Sequence, residues 1–117
     1  MKAIQVTGPK RLEIVEMPKP GPGEGQVLVR VERLSICGSD MRSFRRVHPE
    51  EAYPLAPGGP CHEIVGIVEE SRASEVVQGL RVIALPPAGS SGAYGGGSEY
   101  MVTDASRIIP LPDNSDP

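Results

Sequence analysis

Tryptophan is absent from this 117-residue chain, and the aromatic residues are one phenylalanine and three tyrosines. Phe44, Tyr53, Tyr94 and Tyr100 are too few to build a stacking platform for single-stranded nucleic acid. An excess of positive charge is missing as well: 12 Lys and Arg stand against 15 Asp and Glu, for a net charge of −3. That balance argues against generic binding to a phosphate backbone. No long apolar run occurs. Arg81-Val-Ile-Ala-Leu-Pro86, among the most apolar stretches, falls far below the ~18–20 residues that span a bilayer. No secretory signal is visible, since Met1-Lys2-Ala3-Ile4 already reads as the start of a strand. Cysteine is limited to Cys37 and Cys61, with no Cys-x-x-Cys pair, and without an export signal a disulfide between them is not expected. What remains is a cytoplasmic domain with neither a membrane nor a nucleic acid as partner.

The composition present is that of a folded chain. Residues of the AVILMFWYC set make up 38%, and charged residues 23%, close to the ~25% of ordinary globular proteins. The length suits one domain. With 14 glycines and 13 prolines, short elements and many turns are expected. Lys2–Thr7 and Arg11–Glu16, separated by Gly8-Pro9, read as a hairpin. Gln26–Glu32 is the clearest strand, with Val27, Val29 and Val31 on one face and Leu28 and Arg30 on the other. Glu63–Glu70 reads as a buried strand in which Gly66 permits a bulge or a close backbone approach. Arg81–Leu85, Glu99–Thr103 and Arg107–Pro112 complete about seven short strands. Residues 39–46 form one short helix with Ser39 or Asp40 as N-cap, and Pro86–Gly97 is expected to be a flexible loop. The predicted architecture is mainly β, a partly open barrel or sandwich.

Residues able to do chemistry fall in two clusters, Cys37-Gly-Ser-Asp40 and Cys61-His62-Glu63. Thiolate, imidazole and carboxylate drawn from separate segments make a zinc set. If residues 61–63 are extended, Cys61 and Glu63 face one side and His62 the other. Cys37 and His62 are therefore the expected ligands, with Glu63 as an alternating ligand or a carboxylate behind them, and Cys61 as a small packing residue. Ser39 is either a helix cap or a hydroxyl that passes a proton beside whatever Cys37 binds. Arg42, Arg45, Arg46 and His48 form a basic cluster, either a solvated face or a site for phosphate or another anion. Gly95-Gly96-Gly97 has no preceding strand and opening helix, so it is not a dinucleotide loop.

The order of Met1-Lys-Ala-Ile4, Ile36-Cys-Gly-Ser-Asp40, Pro60-Cys-His-Glu-Ile-Val-Gly-Ile-Val68, Gly79-Leu-Arg-Val82, Gly97-Ser-Glu-Tyr-Met-Val-Thr103 and Ile109-Pro-Leu-Pro-Asp113 resembles the N-terminal half of zinc-dependent medium-chain alcohol dehydrogenases. The resemblance covers essentially the whole chain and implies a GroES-like catalytic domain over residues 1–117. It implies Cys37 and His62 as ligands of one catalytic zinc, Glu63 as a glutamate that approaches the metal, and Ser39 as the first hydroxyl of a proton relay. Phe44 matches a substrate-pocket aromatic. Arg42 stands where many members carry the relay's last histidine. Arginine has no acceptor, so its expected partner is the ribose or pyrophosphate of NAD or NADP. Cys61 replaces the usual glycine before His-Glu, and Leu80 the usual aspartate. The four-cysteine lobe is absent, so no structural zinc is expected. Relatives continue into a nucleotide-binding domain, and this chain reads as the N-terminal part of such an enzyme, inactive and poor at holding zinc by itself. The implied substrate is a small alcohol, polyol or sugar, and the full-length protein is expected to be a homo-oligomer. Two rivals follow from the same fold: a non-enzymatic assembly module, and a zinc-free reductase of the same superfamily.

Overall fold

The computed structural model describes residues 1–87 and 95–112, so most of the glycine-rich loop expected after Pro86, and the chain beyond Pro112, lie outside the described residues. Seven strands and one α-helix make up the described part: β1 (Lys2–Gly8), β2 (Arg11–Glu16), β3 (Gln26–Ser35), α1 (Gly38–Arg45), β4 (Glu63–Ser71), β5 (Arg81–Ala84), β6 (Tyr100–Asp104) and β7 (Ile108–Pro110). Single 3-10 turns occupy Glu50–Ala52 and Ala105–Arg107.

The strands form two open, antiparallel sheets, and no closed barrel is present among the described residues. The first is the expected β1–β2 hairpin; the second runs β6-β3-β4-β5-β7. The hairpin is tied to the rest through the stretch before β6. Ile4 N donates to Gly97 O at 2.8 Å and Glu99 N to Lys2 O at 3.1 Å.

β-Branched residues recur along β3, β4 and β5 because these central strands bury at least one face. Val27, Val29, Ile64, Val68, Val82, Ala84 and Met101 form the core, with Leu80 packed against it, where the resemblance had led to an aspartate. Each fully buried valine or isoleucine contributes about 1.5–3 kcal/mol. Leu28, expected on the opposite face from Val27 and Val29, is buried too, at 1% exposure, and stands outside that cluster.

β3 runs three residues beyond its expected end and pairs with β4 as far as Ser35↔Glu63. Two irregularities interrupt this ladder. Leu28↔Glu70 is followed by Val29↔Val68, leaving Glu69 over, and Val31↔Gly66 is followed by Arg33↔Val65, leaving Glu32 over. Each strand thus carries one extra residue, and the second bulge restores the register that the first displaced. Gly66 itself is not bulged: a Cβ there would fall on the Arg30 carbonyl of the neighbouring strand, so its role is close approach. Arg30 Nε lies 3.3 Å from Glu69 Oε2, and Arg30 also reaches Glu32 at 3.9 Å, so one side chain meets both left-over residues.

Candidate metal centre

The last rung of the β3–β4 ladder places the site. Because Ser35 pairs with Glu63, Cys37, two residues past the one, and His62, just before the other, emerge side by side. Cys37 Sγ and His62 Nε2 are 3.7 Å apart. Two donors held tetrahedrally at the usual zinc distances of ~2.3 Å for sulfur and ~2.0–2.1 Å for nitrogen stand about 3.6 Å apart. The separation of the two donor atoms therefore matches what one zinc ion requires.

Helix α1 begins one residue earlier than expected, and Cys37, not Ser39 or Asp40, is its N-cap. The reason is Asp40, whose Oδ2 accepts from Cys37 N at 2.9 Å. That carboxylate closes the first turn back on residue 37, as a residue at the third helical position does in a capping box. Its other oxygen, Oδ1, lies 3.2 Å from His62 Nδ1, and Pro60 O is 3.3 Å from the same nitrogen. Both neighbours of Nδ1 are acceptors, so the neutral ring carries its hydrogen there and turns the Nε2 lone pair towards Cys37. Asp40 is 3% exposed. The ligand atoms of Cys37, Asp40 and His62 all lie within 4.8 Å of one another, the one such trio among the described residues.

Asp40 stood in the chemistry-bearing Cys37-Gly-Ser-Asp40 cluster, but its sole expected role was a possible helix cap, not a partner of His62. The available signal was the Cys37-x-x-Asp40 spacing, which in a first helical turn returns a carboxylate to the cap residue. Glu63 is exposed at the start of β4 and is not among the clustered atoms. Ser39, also exposed, places Oγ 2.9 Å from Cys37 Sγ. Arg42 is exposed on the helix and Phe44 is half-buried.

Both cysteines are free. Cys61 is buried, with its carbonyl accepting from Gly96 N at 2.5 Å. Burial above all, then the charges of Asp40 and Cys37, push its thiol above the ordinary thiol range, although a backbone hydrogen bond partly offsets them. A neutral, buried thiol suits packing, whereas a metal ligand must be a thiolate.

Beside the trio opens a cavity of about 450 Å³ lined by Ser39, Asp40, Ser43, Arg46, His48 and His62, with Val6, Leu55 and Pro60 among its apolar walls. That volume lies within the ~300–1,000 Å³ range of small-molecule sites. No helix among the described residues is long and apolar enough to cross a membrane.

A family model described as the alcohol dehydrogenase GroES-like domain matches residues 23–113. An acryloyl-coenzyme A reductase from Sulfurisphaera tokodaii is 39% identical over 83 residues, covering 70% of this chain and 23% of its own. An alcohol dehydrogenase from Geobacillus stearothermophilus is 32% identical, covering all of this chain and 41% of its own. Among solved structures, a glucose dehydrogenase mutant from Haloferax mediterranei superposes with a TM-score of 0.78 at 28% identity, covering 97% of this chain and 39% of that one. The chain thus spans between about a quarter and two fifths of the length of these relatives.

Proposed function

This chain belongs to the alcohol dehydrogenase GroES-like domain family, and from that membership we propose that it forms the metal-binding catalytic part of a zinc-dependent NAD(P) alcohol or polyol dehydrogenase. Its relatives are oxidoreductases of the medium-chain dehydrogenase/reductase class. The observation that carries the zinc reading is the 3.7 Å approach of Cys37 Sγ and His62 Nε2 at the edge of a substrate-sized cavity. When bound, zinc supplies Lewis acidity at the substrate oxygen and NAD(P) takes or gives the hydride.

The chain's own residues do the rest. Cys37 and His62 hold the metal, with Asp40 behind the imidazole fixing its tautomer and angle. Glu63, one residue beyond His62, is a carboxylate in reserve, able to approach the site only if its exposed side chain turns inward. Ser39 lies on the cavity wall and beside the sulfur, where its hydroxyl accepts a proton from the substrate hydroxyl and passes it outward. Arg42 cannot continue that path, because a guanidinium has no lone pair to offer; its permanent charge suits the pyrophosphate or ribose of NAD(P). Phe44 is assigned to the apolar side of the substrate's approach. Small alcohols, polyols or sugars are the substrates, in a cytoplasmic homo-oligomer with one catalytic zinc per chain and no structural zinc.

Zinc content per chain, measured by elemental mass spectrometry on the full-length enzyme as wild type, Cys37→Ser and His62→Ala, tests the assignment. The expected result is about one zinc in the wild type and a loss of most of it in each variant. Unchanged metal content would refute it. The acryloyl-coenzyme A reductase relative supports a reductase as the second reading; in a zinc-free form of it, the 3.7 Å Cys37–His62 approach is a thiol–imidazole hydrogen bond. A full-length wild-type protein that stays metal-free after incubation with zinc would select that reading.

A further inference from the structure

The cavity beside the trio is lined by two chemically different sets of residues. Ser39, Asp40 and His62 present the groups already assigned to metal and proton handling. Ser43, Arg46 and His48 make up the second polar set. Nothing in the dehydrogenase reading uses this second set.

Arg46 is fixed by its backbone, not its side chain. It caps the C-terminus of α1, with its N–H donating to Arg42 O at 3.1 Å. No ion pair holds its guanidinium among the described residues, and the one carboxylate on the cavity wall, Asp40, is engaged with Cys37 and His62. His48 is held from behind: its N–H donates to Tyr53 Oη at 3.0 Å, and the two rings meet edge to face with centroids 5.7 Å apart. Ser43 adds a hydroxyl one helical turn back. A permanent cation, an imidazole and a hydroxyl on the wall of a cavity whose one lining carboxylate is engaged suit an anion.

We propose that Arg46, with His48 and Ser43, binds an anionic end group of the substrate, a phosphate ester or a carboxylate, while the substrate's hydroxyl end meets Ser39 and the Cys37–His62 pair. This rests on the dehydrogenase reading in taking the cavity as the substrate's, and it narrows the class from polyols in general to polyols carrying a charged terminus. The competing explanation is that Arg46 only complements the helix dipole at the C-terminus of α1. Arg45 shares that role, being a basic residue of the same last turn, but does not line the cavity. The two arginines therefore separate the explanations.

The test is calorimetric titration of the chain with sorbitol, gluconate and sorbitol 6-phosphate, on wild type, Arg46→Gln and Arg45→Gln. At least one anionic probe is expected to bind about ten-fold or more tighter than sorbitol, and Arg46→Gln to remove that advantage while Arg45→Gln keeps it. A preference for sorbitol 6-phosphate assigns the end group as phosphate, and one for gluconate as carboxylate. Equal binding of all three probes, no binding of any, or equal effects of the two substitutions would overturn the proposal. Zinc content measured in parallel on the full-length enzyme reports separately on the dehydrogenase reading. Full-length enzyme without metal, beside a chain that still selects the anion through Arg46, would keep the anion site and remove the zinc.

Discussion

Asp40 meets both halves of the site at once: Oδ2 accepts from the Cys37 backbone at 2.9 Å, while Oδ1 lies 3.2 Å from His62 Nδ1. A single buried carboxylate thereby links the start of α1 to the residue that precedes β4. Positions of the thiol and the imidazole are coupled through it, so the proposed metal pair is set by a third side chain as well as by the two strands.

Asp40→Asn keeps the size of the side chain but removes its charge and one acceptor. Zinc affinity is expected to fall about 10–100-fold, as for loss of other carboxylate partners of a ligating histidine. Competition against a fluorescent chelator measures it. An affinity within two-fold of wild type would show that Asp40 does not orient the imidazole.

The two thiols are expected to differ sharply towards iodoacetamide. Cys37 is half-buried beside an open cavity, and Cys61 is 4% exposed with its thiol held protonated by burial. In the native, metal-free chain at pH 8, peptide mass mapping should find label on Cys37 alone, with Cys61 reacting only after denaturation. Prior addition of zinc should protect Cys37. Equal labelling of both in the folded chain would contradict the placement of Cys61.

Gly95 packs its backbone directly on the segment that carries His62; a Cβ there would collide with the Cys61 carbonyl. Gly95→Ala is therefore expected to destabilise the chain by about 1–3 kcal/mol and to weaken zinc binding as residues 61 and 62 shift. Urea denaturation and the chelator competition read the two effects. A stable variant with normal zinc affinity would remove this contact from the support of the site.

Thr103 is fully buried in β6, and its hydroxyl donates to Leu85 O at 2.5 Å. Thr103→Val preserves shape but leaves that carbonyl without its partner. A loss of about 1–2 kcal/mol is expected in urea denaturation, with the zinc content unchanged because the residue is remote from the metal pair.

Much of the fold was legible in the residues. Alternation in Lys2–Thr7 and Arg11–Glu16 marked the hairpin, and the valines of β3 marked the central strand, because one face of each element is apolar and the turn residues between them are explicit. The end of β3 was not legible: Arg33, Leu34 and Ser35 carry no alternation that favours a strand, and they are extended because β4 offers them partners. That extension brings Cys37 to His62; the pair was expected as ligands from residue type, strand alternation and the family resemblance, while the pairing of strands that joins them had no local signal. Asp40 was missed for a related reason. A carboxylate in the first turn of a helix has a sufficient local explanation, and its contact with His62 depends on a segment 22 residues away.

The paired bulges at Glu69 and Glu32 have an effect at a distance. Between them the two strands run one step out of phase, and beyond Glu32 they are back in step up to the rung that carries the metal pair. Were Glu32 to take a place in the ladder, every later rung would move by one and Ser35 would face His62 in place of Glu63, carrying the thiol one residue out of line. Arg30, touching both acidic residues, clamps this phase correction. The metal centre's alignment is in effect timed from the middle of the sheet, by residues with no chemistry of their own.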